Sequence, residues 1–306
     1  MSDATRTRLA DGRWHLQHGP IDLVVGADGE ARAVERAHEA LWERFPAILP
    51  RLVEELPRLR TEVPRCGPLE GPVARRMLAA VWPHRGQFIT HMAAVAGAVA
   101  DELIAPYRDE PAVERAHVND GGDIALHLRT GASYRVGLFA DLGRIEREGW
   151  GALGRLDGDF AVHHDTRVRG VATSGWRGRS FSRGIADSVT VLGADAAAAD
   201  AAATVVANAL DVADPRVLRR PARELDPDSD LGDRLVTVDV PLLEPALVEA
   251  ALDAGAAEAR RLRRGGLLWG AVLVLQGRCR VVTGRRPGLA AAGRGKGEAL
   301  ARRERP

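Results

Sequence analysis

Apolar residues along this chain change their period several times, and each change predicts an element. Trp14 and Leu16 alternate with polar neighbours across Arg13–His18, and Asp11-Gly12 reads as the turn of a hairpin whose first arm is Thr7–Ala10. A short strand at Ile21–Val25 is expected to end at Gly26. The period then lengthens: Val34, Ala37, Leu41 and Phe45 recur at helical spacing until Pro46 breaks the run, and Ile48, Leu49, Leu52, Val53, Leu56 and Leu59 resume it. Val73–Val81 predicts a helix that stops before Pro83. Thr90 stands where an N-cap belongs for a helix over Met92–Ile104, and the Ala and Gly content of that helix lets its backbone approach another helix or a ligand closely.

Beyond Pro111 the pattern predicts short strands at Ala116–Val118, Ile124–Leu128 and Tyr134–Leu138. Gly143–Arg169 reads as irregular and carries His163-His164-Asp165. Ser188–Leu192 alternates as a strand does, and Asp195 can cap an Ala-rich helix running to about Leu210. Arg234–Val240 predicts a strand, Leu247–Arg263 a helix, and Leu267–Gln276 with Cys279–Val282 a closing hairpin around Gly277. Strands and helices mix without regular alternation and without an internal repeat. The expected class is therefore α+β, with mixed or antiparallel sheets packed against helices.

Composition adds bounds. At 306 residues, 45% hydrophobic and 28% charged, the chain can bury a substantial core, expected as a single domain over residues 1–283. The net charge of +1 gives no pull toward nucleic acid or an anionic membrane. Of its basic residues only Lys296 is a lysine, which reads as coding bias. The stretch 284–306 is basic and poor in apolar residues and is expected to be a disordered tail. Cys66 and Cys279 lie in no ligand or redox pattern. A polar N-terminus and the lack of an apolar run long enough to cross a bilayer make the cytoplasm the expected location.

Several clusters could carry chemistry. In Asn119-Asp120-Gly121-Gly122-Asp123, two glycines between polar residues permit positive φ and close approach to a phosphate or planar ring, although hairpin turns use the same residues. Val171-Ala172-Thr173-Ser174-Gly175 could aim hydroxyl and N–H groups at an anion, or be a polar turn. Asp200 and Thr204 lie four apart on one helix face, and a carboxylate with a hydroxyl suits Mg²⁺ that keeps waters and a substrate phosphate; an exposed Asp beside an ordinary Thr is the bland alternative. His163-His164-Asp165 reads mostly as loop. Asp226-Pro227-Asp228-Ser229-Asp230 reads as a capping and turn segment, lacking the later glutamate of a Ca²⁺ loop.

Taken in order, these pieces resemble the ApbE-like superfamily, and most closely its uncharacterised ApbE-related branch. The resemblance runs through Gly19–Val24, Thr90–Ala98, Asn119–Asp123, Thr173–Gly175, Ala186–Val191, Ala199–Thr204 and Asp228–Asp233. Characterised ApbE proteins are Mg²⁺-dependent FAD:protein FMN transferases, so the resemblance implies Mg²⁺, FAD as ligand or substrate, and an acceptor protein as partner. Matched by motif, Asp200 and Thr204 become metal ligands, with the backbone carbonyls of Ala203 and of one residue in Ala93–Gly97. Asn119, Gly121, Gly122 and Asp123 become the flavin-side loop, Thr173, Ser174 and Gly175 the second wall, and Asp187 the nearest candidate base.

The chain departs from the transferase pattern in places. Ala96 stands where transferases carry a lysine, Trp176–Ala186 is too short for their His-rich Asp-Pro-x-Thr-Gly segment, and Gly178-Arg179-Ser180 and His91 replace other usual residues. Three functions therefore stay open: an FMN transferase or FAD pyrophosphate hydrolase; a protein binding another nucleotide-like ligand and supporting sulfur incorporation into homocysteine or one-carbon metabolism; and an inactive interaction protein on the same fold.

Overall fold

The computed structural model describes residues 3–65, 67–138 and 158–283. Its strands are β1 (Thr5–Arg8), β2 (Trp14–His18), β3 (Ile21–Gly29), β4 (Val113–Asp120), β5 (Asp123–Leu128), β6 (Ser133–Leu138), β7 (Gly158–His163), β8 (Gly170–Ser174), β9 (Ser188–Gly193), β10 (Leu218–Pro221), β11 (Leu235–Asp239), β12 (Gly270–Leu275) and β13 (Arg278–Thr283). The helices are α1 (Ala31–Arg44), α2 (Ile48–Leu59), α3 (Pro72–Val81), α4 (Val95–Leu103), α5 (Ala105–Asp109), α6 (Ala196–Ala209), α7 (Ala222–Leu225) and α8 (Pro245–Arg264). The class is α+β, as the pattern predicted.

Nine strands form one antiparallel sheet in the order β1-β2-β3-β4-β5-β8-β9-β12-β13, beside two-stranded ribbons β6-β7 and β10-β11. Strand alternation sorts adjacent residues onto opposite faces. Ala125, Ala172 and Val191 enter the main core, where they meet Ala98 and Val99 of α4 and Ala199, Ala203 and Val206 of α6. Their neighbours Leu126, Val171 and Leu192 face the other way and pack on Val136 and Val162 of the β6-β7 ribbon. The helices thus cover one face of the sheet and the ribbon part of the other.

Small residues set how closely α6 packs. A Cβ on Gly97 of α4 would lie 2.4 Å from the carbonyl oxygen of Ala196, and one on Gly170 of β8 would lie 2.0 Å from that of Asp195. The Ala- and Gly-rich segment after Thr90 therefore does approach another helix closely. The N-terminus of α6 is capped twice: Asp195 Oδ1 accepts from the N–H of Ala198 at 2.7 Å, and buried Asp101 accepts from the N–H groups of Ala196 and Ala197 at 3.2 and 2.9 Å.

Several expectations need correction. Strand β3 runs through Gly26 to Gly29, paired with β4 as far as Gly29↔Val113, and Gly26 marks a close approach, not an end: a Cβ there would lie 2.5 Å from the His117 ring. The helix expected from Met92 begins as a 3-10 turn over His91–Ala94 before α4, and Thr90 makes no side-chain cap; its hydroxyl donates instead to Asp230. Part of the segment read as irregular is strand β7, whose Phe160 and Val162 alternate onto one face and pack beside Leu126 and Val171. Val171–Gly175 is no turn: Gly170–Ser174 is an interior strand. Residues 143–157, Cys66 and the expected tail 284–306 lie outside the described residues. No helix among the described residues is long and apolar enough to cross a membrane.

Candidate functional site

Strands β4 and β5 are joined by the two-residue turn Gly121-Gly122, with φ of +62° and +114°. Asn119 Oδ1 accepts from the N–H of Gly122 at 2.8 Å and braces that turn. The hairpin reading of Asn119–Asp123 is therefore correct, and it has a consequence for the carboxylates. Counting by twos from Ala116 and Val118 in the main core brings Asp120 to the helix-covered face, and counting back from Ala125 brings Asp123 there as well. Asn119 points to the other face.

Asp123 sits where the sheet changes character. Strands β5 and β8 share only the register pairs Ile124↔Val171 and Ala125↔Gly170. Beyond them the N–H of Thr173 is taken by Asp123 Oδ1 at 3.2 Å, so a carboxylate continues the ladder in place of a backbone carbonyl. The Thr173 hydroxyl points away from the helices and exchanges a hydrogen bond with Thr190 at 2.9 Å on the opposite face. Thr173 thus gives its backbone, not its side chain, to the surroundings of Asp123.

From above, α6 lowers Asp200 toward the same place. The N–H of Gly97 donates to Asp200 Oδ2 at 3.1 Å, which leaves Oδ1 without that constraint. Thr204 lies one helical turn on, and Ala203 is fully buried, so a backbone carbonyl is all it could offer a ligand. Asp123 and Asp200 are only partly screened from solvent by surface area, yet densely surrounded by protein. The two observations agree if both line the floor of a narrow recess.

Their electrostatics follow from that placement. Burial raises the carboxyl pKa of Asp123, and the charges of Asp200 and Asp120 raise it further. Asp200 is raised by burial and by Asp120 and Asp101, against the opposing Gly97 hydrogen bond. Asp120, pushed up to about 7 by burial, is held down somewhat by a hydrogen bond from the Asp22 backbone and by the Arg179 guanidinium. Like charges have been gathered where water screens them poorly. They are not three ligands of one ion: among the described residues no group of three or more His, Cys, Asp or Glu side chains is disposed as a metal centre.

The remaining predicted residues divide. Ser174 ends β8, and Gly175 is required because a Cβ there would lie 2.5 Å from the Asp187 carbonyl oxygen. Asp187 Oδ1 accepts from the Trp176 indole at 3.3 Å and Oδ2 from the N–H of Gln276 at 2.6 Å, which ties the wall after β8 to the β12–β13 turn. His164 Nδ1 accepts from the N–H of Gly131, in keeping with a loop role. Asp230, whose pKa burial raises, takes the Thr90 hydroxyl. Sequence reasoning named Asp120 only within its turn motif, although the alternation from Ala116 places it, and Arg179 only as a departure from the usual pattern, with no periodic signal to give it a role. The clefts near Ile48 and Val73 (about 270 Å³) and near Asn208 and Arg219 (about 540 Å³) lie elsewhere and contain none of these carboxylates.

The chain is similar to several known proteins. The family model described as AbpE bacteria matches residues 6–281. A UPF0280 protein of Methanospirillum hungatei is 36% identical over 161 residues, 51% of this chain and 59% of that relative, so the match spans well under two thirds of its length. A UPF0280 protein of Methanopyrus kandleri is 33% identical over 232 residues, 71% of this chain and 83% of the relative. Among solved structures, the ApbE protein of Thermotoga maritima matches with a TM-score of 0.46 at 14% identity, covering 90% of this chain and 96% of its own. The apo flavinyl transferase ApbE of Pseudomonas stutzeri matches with a TM-score of 0.46 at 15% identity, covering 92% and 94%.

Proposed function

The chain belongs to the AbpE bacteria family, and from that premise we propose that the recess beneath α6 binds Mg²⁺ together with a phosphate-bearing nucleotide of the flavin type. The observation that carries this reading is the convergence of Asp120, Asp123 and Asp200 from two strands and a helix, where Asp120 opposes the ionisation of both others and Asp200 that of Asp123. Charges of one sign held in a poorly solvated place call for either protons or a cation.

The donors fit a hard ion. Asp200, the Thr204 hydroxyl and the Ala203 carbonyl offer oxygen, and no sulfur or imidazole takes part. Asp200 and Thr204 would hold Mg²⁺, which when bound supplies charge that stabilises phosphate oxygens. The chain's own residues do the positioning. The Gly97 N–H fixes one oxygen of Asp200, Asp123 fixes the start of the wall at Thr173, and the bare Gly121-Gly122 turn admits a planar ring or a phosphate. In this reading Asp187 holds the wall that begins at Ser174 in place by its bonds to Trp176 and Gln276.

Calorimetry of the purified protein with MgCl₂, then with FAD, FMN and AMP in its presence, tests the proposal. Mg²⁺ should bind, FAD should bind only with it, and Asp200→Ala should abolish both while leaving the circular dichroism spectrum unchanged. An Asp200→Ala protein that binds Mg²⁺ as the parent does would overturn the assignment. Metal-dependent release of AMP from FAD would mark the site as a transferase or hydrolase, with an acceptor protein as partner if FMN remains attached. Growth of a deletion strain with and without methionine tests the role in sulfur or one-carbon metabolism.

A further inference from the structure

The site has negative charge from the sheet and from α6, and α4 brings it no cation, since the residues leading to Gly97 are Ala93, Ala94, Val95 and Ala96. A cation arrives from the opposite side. Arg179, exposed in the segment between β8 and β9, carries its guanidinium over the β4–β5 turn: Nη1 would lie 3.3 Å, and Cδ 3.8 Å, from a Cβ built on Gly121. A side chain at position 121 would press on that guanidinium, so the glycine both makes the turn and leaves room for it. The carbonyl of Pro20, between β2 and β3, accepts from Nη2 at 3.1 Å and fixes the orientation of the fork. Neighbouring Arg177 is turned aside, its guanidinium 4.6 Å from the centre of the Trp176 ring.

Resting on the reading of this recess as a nucleotide site, we infer that Arg179 is its anion-recognising residue, holding a phosphate or diphosphate group over the Gly121-Gly122 turn. Nη1, turned over the bare turn, and the second hydrogen of an Nη2 already oriented by Pro20 can donate to the oxygens of a phosphate. The charge of Arg179 is felt at Asp120, so it stands within electrostatic reach of the carboxylates. The two ends of the site then have opposite preferences, cation at Asp200 and anion at Arg179, which is the charge pattern of a metal-bound diphosphate.

The test titrates inorganic pyrophosphate, with and without saturating MgCl₂, into the parent protein, Arg179→Ala, Arg179→Lys and a control, Arg32→Ala, altered on the exposed side of α1. Arg179→Ala should weaken pyrophosphate about tenfold or more and leave Mg²⁺ affinity unchanged. Arg179→Lys, which keeps the charge without the fork, should fall between, and the control should match the parent. Equal pyrophosphate affinity in Arg179→Ala, or an equal loss in the control, overturns the inference. If the parent binds Mg²⁺ but no pyrophosphate, the inference falls while the metal reading stands. Should pyrophosphate bind without Mg²⁺ and depend on Arg179, the inference stands and the expectation that the ligand binds only with Mg²⁺ falls. A parent that binds neither overturns both.

Discussion

The N–H of Gly97 donates to Asp200 Oδ2 at 3.1 Å, and the same glycine is the point at which α4 meets the start of α6. One residue therefore sets both a helix contact and the orientation of a carboxylate. Gly97→Ala should destabilise the protein by about 1–3 kcal/mol, since backbone must shift to relieve a 2.4 Å approach. Urea unfolding measures that cost. Mg²⁺ affinity should fall with it, whereas an equally destabilising change in α8, such as Leu252→Ala, should leave affinity intact.

The pH dependence of the metal-free protein follows from Asp120. Its folded-state carboxyl, at about 7 against an ordinary 3.8, holds a proton that the unfolded chain has released. The stability tied to that proton is present below about pH 4 and is lost as pH rises through about 7. That interval corresponds to at most about 4 kcal/mol. The Tm of the metal-free protein should fall between pH 5 and about 8, and Asp120→Asn should flatten the curve. An unchanged slope in Asp120→Asn would show that the carboxyl ionises freely in the fold.

Thr173→Val separates backbone from side chain. The substitution keeps the N–H that Asp123 accepts and removes only the hydroxyl shared with Thr190. A loss of about 1 kcal/mol in stability is expected, with Mg²⁺ affinity unchanged. Asp123→Ala should instead weaken ligand binding. A large loss of affinity in Thr173→Val would place the hydroxyl in the site after all.

Thr90 and Asp230 join segments 140 residues apart through one hydrogen bond. Thr90→Val leaves a half-buried carboxyl without that donor and should cost about 1 kcal/mol. Asp230→Asn should cost less, because an amide can still accept the bond. Denaturant midpoints of the two variants give the comparison.

The sequence made most elements legible because their burial is one-sided. Ala37 and Leu41 on α1, or Val189 and Val191 on β9, repeat at the spacing of their element, and Asp195 caps α6 as its position suggests. Elements whose apolar signal is short were missed: β7 has only Phe160 and Val162, and β10 is a four-residue strand with exposed Leu218. In the candidate site, motif order singled out Asp123, Thr173 and Asp200 but could not say that the Thr173 hydroxyl faces away from the helices. That depends on strand register, which is a long-range property. The sequence shows Arg179 only as a departure from the usual motif, and its placement was hidden for a related reason: its partner, Pro20, lies 159 residues away.

The brevity of the β5–β8 pairing has a mechanical side. Five strands on one flank and four on the other are joined at two residue pairs, supplemented by the bond from the Leu126 N–H to the Arg169 carbonyl. Next to that joint stands Asp123, whose carboxylate bridges the gap to Thr173. At the level of the sheet the two halves are thus held by few backbone bonds, and α4 and α6, which pack on both sides of the joint in one core, carry the rest of the connection. Amide exchange at Thr173, whose N–H that carboxylate accepts, should slow when a ligand neutralises and orders Asp123, which makes the occupancy of the recess readable from a single amide.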